Sequence, residues 1–400
     1  MSAPPLPPED EQVGPIDQPF QAVEQHFAPA GQLAPLRWGR LLPWLGGLLA
    51  VHLALCGWYT SNVNAKHRVV LADDAFLADP EPVRLLVVGD SHPRNAVDDE
   101  LLPGALNLAN GGESYVKTYY RLKYLLARSE RRVGAVLLTM EPQAFDSWHA
   151  DYYQPEYVYG RYVPFIELGF KRGRPVEYAN WWVKAHLAPY TGESQTIGEM
   201  LRNKRDFHDE LGAMRFSAAG PAEQWALGQG RAEWHFKGHE YRDPLQIWAF
   251  EQTLALCDAE GIRPILVSYP VSEEYWYFVD KMGPVAAMHD VLGPLKARRP
   301  DLVHLDYHAT YFGRNDLFHD PDHVNRGGRK RFTRMLNDDL IALGVVPETN
   351  VIPPRRQGPR AGLKPIVPPP RAPARPLDGP RDVGPDAFPA KPDAPDQLEP

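Results

Sequence analysis

Two short segments of the chain contain the residue types that nucleophilic catalysis uses. The first, RLLVVGDSHPRNAV (residues 84–97), carries an apolar run into a turn that presents Ser91. The second, FHDPDHVNRGG (318–328), places Asp320 three residues before His323. A serine hydroxyl is a poor nucleophile until a base takes its proton, and the base needs an acid that orients it. The Asp-x-x-His spacing lets the acid bond one imidazole nitrogen while the other nitrogen faces a serine.

The hydrophobic pattern predicts the elements that would position these residues. Five short apolar runs lack strict alternation, which is typical of strands buried on both faces of a parallel sheet. They are the segments 83–90, 104–109, 133–140, 263–270 and 301–308. Helical patterns lie between or after them at 114–130, 244–261 and 326–344. This alternation predicts an α/β fold with a doubly wound, mostly parallel five-stranded sheet.

The carboxyl-terminal edge of such a sheet is where ligands bind. Four features should meet there: Ser91 after the first strand, NLANGG (107–112) after the second, MEPQ (140–143) after the third, and 318–328 before the last helix. Residues after the second and fourth predicted strands are further candidates for substrate contact. They are Asn107, Asn110, Tyr269, Glu273 and Tyr275.

The rest of the chain flanks or interrupts this domain. The predicted organisation is a Pro-rich disordered segment 1–36, a transmembrane anchor 37–60, a linker 61–81, an α/β domain 82–345 with a mostly helical, aromatic-rich insertion 146–243, and a Pro-rich disordered tail 346–400. The apolar run from Leu41 to Tyr59 is about long enough to cross a hydrocarbon core of ~30 Å. A buried helix of a soluble domain and a cleaved signal peptide are the alternatives. Both fit less well, because the run has no polar face and no small-x-small cleavage site.

Three motifs together resemble the SGNH hydrolases, also called GDSL-type esterases and acyltransferases. They are GDSH (89–92), the Asn-containing Gly-rich loop NLANGG, and DPDHVNRGG before a terminal helix, and the likeness covers most of 82–345 outside the insertion. The resemblance implies an SGNH/flavodoxin-like fold in which Ser91 is the nucleophile, His323 the base and Asp320 its orienting acid. A membrane anchor before such a domain is similar to extracytoplasmic branches that O-acetylate polysaccharides or act in D-alanylation of lipoteichoic acid.

The oxyanion hole is where the chain departs from the family pattern. The resemblance implies that the backbone N–H groups of Ser91 and of a glycine in the second motif form it, and Gly112 fits better than Gly111. The family's third donor is the Asn of Gly-x-Asn-Asp, whereas this chain has the run from Thr139 to Gln143 in that place. The Gln143 amide is the candidate replacement, and losing one such donor lowers the rate by about 10²–10³.

Several other residues have simpler interpretations. Asp322 is interpreted as a solvated loop residue and Asn325 as the N-cap of the last helix. A region rich in His and Asp matches no zinc-ligand spacing, so we expect neither a metal ion nor a cofactor. It contains His304, Asp306, His308, His319, Asp320 and His323. The net charge of −8 and the lack of a concentrated basic surface argue against a nucleic-acid binder.

Two functions from different classes fit these observations. The first is a membrane-anchored serine acyl-ester hydrolase or O-acyltransferase, with an acyl ester or an extracytoplasmic cell-envelope glycan as substrate and a membrane protein as acyl donor. The second is a weakly active or inactive glycan-binding or assembly subunit of an envelope polysaccharide system. Both imply a single-pass protein of the inner (cytoplasmic) membrane. The resemblance places the domain outside the cytoplasm, since the basic residues flanking the span give little orientation bias.

Overall fold

The computed structural model of the chain describes residues 38–62, 65, 67–151, 156–186, 215–342 and 344. The segments 1–36 and 346–400, both predicted to be disordered, lie outside the described residues. The chain divides into two units, Met1–Leu53 and Ala54–Pro400, which are described separately.

A five-stranded parallel sheet forms the centre of the second unit. Its strands are β1 (Val83–Val87), β2 (Ala105–Asn107), β3 (Val133–Thr139), β4 (Arg263–Ser268) and β5 (Val303–Asp306), in the spatial order β2-β1-β3-β4-β5. All four neighbouring pairs are parallel; Leu86 of β1, for example, lies between Leu106 of β2 and Val136 of β3. Since the strand order reverses beside β1, as in doubly wound sheets, the predicted α/β architecture is confirmed.

The helices after the first one surround the sheet, and a small hairpin precedes the last of them. In chain order the helices are α1 (Trp38–Asn62), α2 (Arg68–Ala78), α3 (Ser91–Ala96), α4 (Tyr115–Arg128), α5 (Ser147–Asp151), α6 (Glu156–Tyr159), α7 (Phe165–Arg172), α8 (Pro175–His186), α9 (Arg215–Ala218), α10 (Pro221–Phe236), α11 (Pro244–Glu260), α12 (Glu273–Met282), α13 (Pro284–Arg298) and α14 (Arg326–Ala342). The hairpin is antiparallel and consists of β6 (Phe318–Asp320) and β7 (His323–Val324). Within 146–243, the described elements are α5 to α10.

The strands bury both faces, which explains why their sequences do not alternate. In β1, Leu86 packs into one core with Tyr119 of α4 and Phe250 of α11. Its neighbour Leu85 points to the opposite face and packs into a second core with Phe332 of α14. Burial of this apolar surface, at roughly 25 cal/mol per Å², is the main term that stabilises the sheet against its helices.

Helix α1 is long and apolar enough to cross a membrane. Its stretch Leu41–Tyr59 has 19 residues and a mean hydropathy of 1.6. Most of the large side chains along it are exposed, such as Trp44 by 80% and Leu48 by 68%, whereas Tyr59 at its end is fully buried. Such a continuous exposed apolar surface is weakly consistent with a single-pass anchor.

Part of the segment predicted as a linker forms a packed helix. Val69 and Phe76 of α2 are buried in the core that contains α4. Asp73 is also fully buried and accepts a hydrogen bond of 2.6 Å from Arg121 of α4. Helix α2 is therefore fixed to the domain before β1 begins.

Candidate active site

A tight turn after β1 presents Ser91. Gly89 has φ = 128°, and a Cβ there would lie 2.4 Å from Oγ1 of Thr139, so the turn requires glycine. Asp90 caps the next helix, because its carboxylate accepts a hydrogen bond of 3.0 Å from the backbone N–H of His92. Ser91 is thus the first residue of α3, at the carboxyl-terminal edge of the sheet.

The β6–β7 hairpin carries His323 and Asp320. The two residues are register partners across the hairpin. Asp320 Oδ1 accepts hydrogen bonds from the backbone N–H groups of Asp322 (3.1 Å) and His323 (2.8 Å). Both Asp320 oxygens also lie within hydrogen-bond distance of His323 Nδ1, at 3.0 and 2.9 Å. The turn therefore fixes the carboxylate, and the carboxylate fixes the ring.

The other ring nitrogen of His323 faces Ser91. His323 Nε2 lies 2.7 Å from Ser91 Oγ, although 232 positions separate the two residues in the chain. Burial alone would raise the pKa of Asp320, but the nearby His323 lowers it to about 2. Asp320 is therefore ionised at neutral pH and accepts the Nδ1 proton, which leaves Nε2 able to accept the serine proton.

The loop after β2 runs beside Ser91. A Cβ built at Gly111 would lie 3.9 Å from the Ser91 Cβ. The loop is attached to the turn after β1, since the Asn110 N–H donates to the Gly89 carbonyl at 2.9 Å. Gly112 follows with φ = 67°, a conformation that favours glycine. The structure thus brings Gly111 against Ser91, and the preference for Gly112 as oxyanion donor stays a prediction.

Gln143, the candidate third oxyanion donor, has its amide engaged with another side chain. It is 2% exposed, and its Nε2 donates to Glu141 Oε2 at 2.7 Å. The same nitrogen lies 3.1 Å from His92 Nδ1. In this arrangement the amide supports the contact between Glu141 and His92, and its oxyanion role stays a prediction.

Asp322 lies at the centre of a buried charge network, so its interpretation as a solvated residue is wrong. It is 1% exposed. Its Oδ1 accepts a hydrogen bond of 2.7 Å from Arg231 Nε and lies 3.5 Å from His323 Nδ1, while Oδ2 lies 3.3 Å from His92 Nε2. Burial alone would raise the pKa of Asp322, but Arg231 and His323 hold it well below its ordinary value. A second carboxylate therefore faces the imidazole.

His92 extends this network to the end of β3. Its Nδ1 lies 2.8 Å from Glu141 Oε2, and the ring is 3% exposed. Burial alone would lower the pKa of His92, but Glu141 and Asp322 raise it well above its ordinary value. Glu141 Oε1 also accepts a hydrogen bond of 2.8 Å from the backbone N–H of Tyr269, just after β4. The network therefore joins α3 to the ends of two strands.

Arg231 brings the insertion into the site. Its helix α10 approaches α12 closely at Gly228, where a Cβ would lie 2.7 Å from the Glu274 Cβ. The Arg231 guanidinium lies 4.6 Å from the ring centroid of Trp234, which is 51% exposed. Trp148 packs edge-on against Trp234 at 4.8 Å. The guanidinium that pairs with Asp322 therefore contacts the exposed Trp234, which in turn packs against the half-buried Trp148.

The asparagines predicted to contact substrate hold the loop after β2. The Asn107 amide donates to two backbone carbonyls of the α3 region at 3.1 and 3.0 Å. The Asn110 amide donates to the hydroxyl of Tyr159 at 3.0 Å, and its oxygen accepts a hydrogen bond from Arg68. Both side chains thus have structural contacts near Ser91.

The other predicted substrate contacts lie after β4. Tyr269 is 1% exposed and Tyr275 is 2% exposed, with the Tyr275 hydroxyl 2.7 Å from His235 Nδ1. Glu273 is exposed in the first turn of α12. The structure therefore turns both tyrosine rings into the interior and leaves Glu273 as the accessible member of this group.

Among the residues that the structure describes, two groups of side chains are close enough together to hold a metal ion. Within each group, one ligand atom per residue lies within 4.8 Å of the others. The groups are His92, Asp322 and His323, and His319, Asp320 and His323. Because the ring nitrogens of His323 face Ser91 and Asp320, a bound metal would displace one of these contacts. The expectation of a metal-free site stays a prediction.

No protein-family model and no curated protein matches the chain. The assignment of the site therefore depends on its geometry. Local sequence patterns indicate no functional role for His92, Glu141 or Arg231. Their contacts join segments far apart in the chain, such as Arg231 and Asp322 at a separation of 91 positions. The prediction that Asn325 caps the last helix is confirmed, since its Oδ1 accepts hydrogen bonds from two N–H groups in the first turn of α14 at 2.9 and 3.0 Å.

Proposed function

We propose that the chain is a membrane-anchored serine acyl-ester hydrolase or O-acyltransferase of the SGNH type. The observation that carries the proposal is the 2.7 Å contact between Ser91 Oγ and His323 Nε2, together with the 2.9 Å contact between His323 Nδ1 and Asp320. A nucleophile, a base and an orienting acid within hydrogen-bond reach are what covalent acyl catalysis requires.

The proposed reaction passes through an acyl-enzyme. Ser91 Oγ attacks the acyl carbonyl as His323 Nε2 takes the hydroxyl proton. The bond to the leaving alcohol then breaks, and His323 returns the proton to that alcohol. A sugar hydroxyl or water attacks the acyl-enzyme, again with His323 as base, and frees Ser91. Asp320 and Asp322 stabilise the imidazolium of each step.

The oxyanion of each tetrahedral intermediate needs preorganised donors. The proposed donors are the backbone N–H groups of Ser91 and of Gly111 or Gly112. The Ser91 N–H lies in the first turn of α3, where N–H groups have no partner within the helix. Since Gln143 donates to Glu141, catalysis by two backbone donors is the simplest form of the proposal.

The proposed acceptor is an extracytoplasmic cell-envelope glycan, with a membrane protein as acyl donor. The apolar helix α1 supports a membrane anchor, and the inner membrane is the proposed location. The indole rings of Trp148 and Trp234 support a glycan, because aromatic faces are suited to stacking on sugar rings. Under this proposal the domain lies outside the cytoplasm.

Labelling of Ser91 by a fluorophosphonate tests the proposal. The probe should modify Ser91 of the detergent-solubilised full chain, as read by peptide mass spectrometry. Ser91→Ala should abolish labelling and lower turnover of an aryl acetate by about 10⁴–10⁶. Ser217→Ala, a matched change in α9, should keep both. Unchanged turnover by Ser91→Ala would overturn the proposal.

A glycan-binding or assembly subunit with little catalysis is the second candidate function. The engagement of the Gln143 amide with Glu141 favours it, because the site then lacks the side-chain oxyanion donor of the family pattern. Binding of an envelope polysaccharide without fluorophosphonate labelling of Ser91 would support this function against the first.

A further inference from the structure

An arginine-lined cavity adjoins the turn that presents Ser91. It contains about 770 Å³ of unoccupied space, including its open mouth. Its walls come from the start of α2, from α3, from the loop after β2 and from the first turn of α14. Its charged lining residues are Arg68, Arg94, Arg121, Arg329 and Asp99.

One glycine connects this cavity to the nucleophile. A Cβ at Gly111 would lie 3.4 Å from a guanidinium nitrogen of Arg94 and 3.9 Å from the Ser91 Cβ. Arg94 also follows Ser91 by one turn of α3. A group held by Arg94 is therefore close to the reacting hydroxyl.

Arg121 contributes little net charge to the cavity. Its buried guanidinium forms ion pairs with Asp73 at 2.6 Å and Glu113 at 2.7 Å. It also donates to the Leu108 carbonyl at 2.7 Å. The positive charge available to a ligand must therefore come from the other three arginines.

These three arginines outnumber the one carboxylate of the lining, Asp99. Arg68 donates to the side-chain oxygen of Asn110. Arg329 donates to a backbone carbonyl just after α3 at 2.9 Å, and Asp98 lies 3.8 Å from it. The Arg329 Nε is buried with no hydrogen-bond partner in the part of the chain that the structure describes. A neutral acceptor thus holds each of Arg68 and Arg329 in place, and Arg329 also lies near the Asp98 carboxylate.

The guanidinium groups also act on the neighbouring His67. Burial lowers the pKa of His67 most, and the charges of Arg68, Arg121 and Arg94 lower it further, to about 4. The charge contribution, unlike burial, is one that attracts an anion. The cavity edge is therefore suited to a negatively charged ligand.

We propose that this cavity binds the phosphate group of a phosphate ester or diphosphate and holds that molecule beside Ser91. A guanidinium presents a fork of N–H donors that matches phosphate oxygens. Several such forks suit the multiple oxygens and charges of a phosphate better than a single carboxylate. Tyr59 ends the proposed membrane span, and Arg68 lines the cavity. The chain between them spans at most about 30 Å, which is short enough for the cavity to reach a lipid headgroup. A membrane lipid and a soluble compound can therefore both supply the phosphate. That the bound molecule is a substrate rests on the proposed function.

Pyrophosphate binding to the detergent-solubilised full chain tests the site directly. A ³¹P NMR titration at fixed ionic strength should give one saturable site. Arg94→Gln should raise the Kd about tenfold or more, because a hydrogen bond between charged groups is lost. Lys330→Gln removes the same charge at an exposed position of α14 and should leave the Kd unchanged. Absence of saturation, or equal Kd values for both variants, would overturn the proposal.

Arg94→Lys keeps the proposal testable where Arg94→Gln does not fold. It retains the charge and removes the planar fork. Its Kd for pyrophosphate should therefore lie above that of Lys330→Gln, and a Kd equal to that of the unaltered chain would overturn the site.

Two short-chain lipids separate the sources of the phosphate. Tighter binding of dihexanoyl phosphatidic acid than of pyrophosphate, with no binding of dihexanoylglycerol, would assign the site to a lipid headgroup. Equal or weaker binding of the phosphatidic acid would assign it to a soluble phosphate. Both results support the phosphate site, whereas equal binding of the two lipids would show that the acyl chains bind and would overturn it.

Fluorophosphonate labelling in parallel separates this inference from the proposed function. Pyrophosphate binding without labelling of Ser91 would keep the phosphate site and refute the acyl chemistry. Labelling without pyrophosphate binding would refute the phosphate site alone.

Discussion

Two carboxylates face one imidazole, and their surroundings give them different tasks. Asp320 accepts the Nδ1 proton of His323, and its side chain is 32% exposed. Asp322 is 1% exposed and compensates the charges of Arg231 and His92. The first carboxylate orients the imidazole, whereas the second mainly maintains the network behind it.

Asparagine substitutions should separate these two tasks. Asp320→Asn should lower turnover by about 10⁴, because an amide N–H facing Nδ1 favours the wrong tautomer of His323. Asp322→Asn should lower the free energy of unfolding by on the order of 3 kcal/mol, since it removes the buried anion between the Arg231 guanidinium and the His92 imidazolium. Turnover of an aryl acetate and denaturant unfolding measure the two effects. A larger loss of turnover in Asp322→Asn than in Asp320→Asn would reverse the assignment.

Protonation of His92 should make stability depend on pH. A raised pKa means that its contribution is fully present below the ordinary value of 6.5, declines above it, and is lost once the pH rises through the raised value. Thermal unfolding of the full chain and of His92→Gln from pH 6 upward measures the difference. The difference should shrink as the pH increases, and a constant difference would show that His92 is neutral in the fold.

The residues of the site differ in how well the sequence predicts them. Ser91 follows a strand, and Asp320 and His323 share one short motif, so local spacing was enough to propose them. Asp322 lies in the same motif, but only the fold shows that it is buried and forms ion pairs with Arg231 and His92. Long-range ion pairs of this kind leave no periodic signal in a single sequence.

The close packing of helix α10 against helix α12 positions Arg231. Helix α10 meets α12 at Gly228, whereas Gly230 on the same helix has open space where a Cβ would be. Arg231 follows Gly228 by about one helical turn, and its guanidinium therefore reaches the Asp322 carboxylate. The approach of the two backbones sets the position of the guanidinium.

Alanine at the two glycines should have opposite effects. Gly228→Ala should lower the free energy of unfolding by about 1–3 kcal/mol, because its methyl group would overlap Glu274. Gly230→Ala should raise it by roughly 0.5–1 kcal/mol, since alanine favours the helix and meets no neighbour. Denaturant unfolding of both variants tests this. Equal effects would mean that α10 does not depend on the close contact.

The main elements were predictable because each has a pattern of its own. All five predicted strands contain an observed strand, since two buried faces give continuous apolar runs. Local patterns do not indicate the β6–β7 hairpin, because strands of three and two residues show no periodicity. Helix α2 was missed for a different reason: its buried Asp73 resembles a solvated residue until Arg121 is placed beside it.

Under the proposed membrane location, the apolar helix α1 anchors the whole molecule. Leu48→Arg combined with Leu49→Arg should oppose membrane insertion by about 6 kcal/mol. The variant should leave the carbonate-resistant membrane pellet, whereas Leu71→Arg, an exposed change on α2, should stay in it. Retention of the double variant in the pellet would show that another part of the chain holds the protein there.

The contact between Arg231 and Asp322 has an evolutionary consequence. An insertion that only covers a surface can be shortened or lost, but this one supplies the counter-ion of a fully enclosed acid. A descendant that loses the arginine would keep a negative charge next to the imidazole with one counter-ion fewer. We therefore expect positions 231 and 322 to change together among relatives, with neutral pairs wherever the inserted helices are absent.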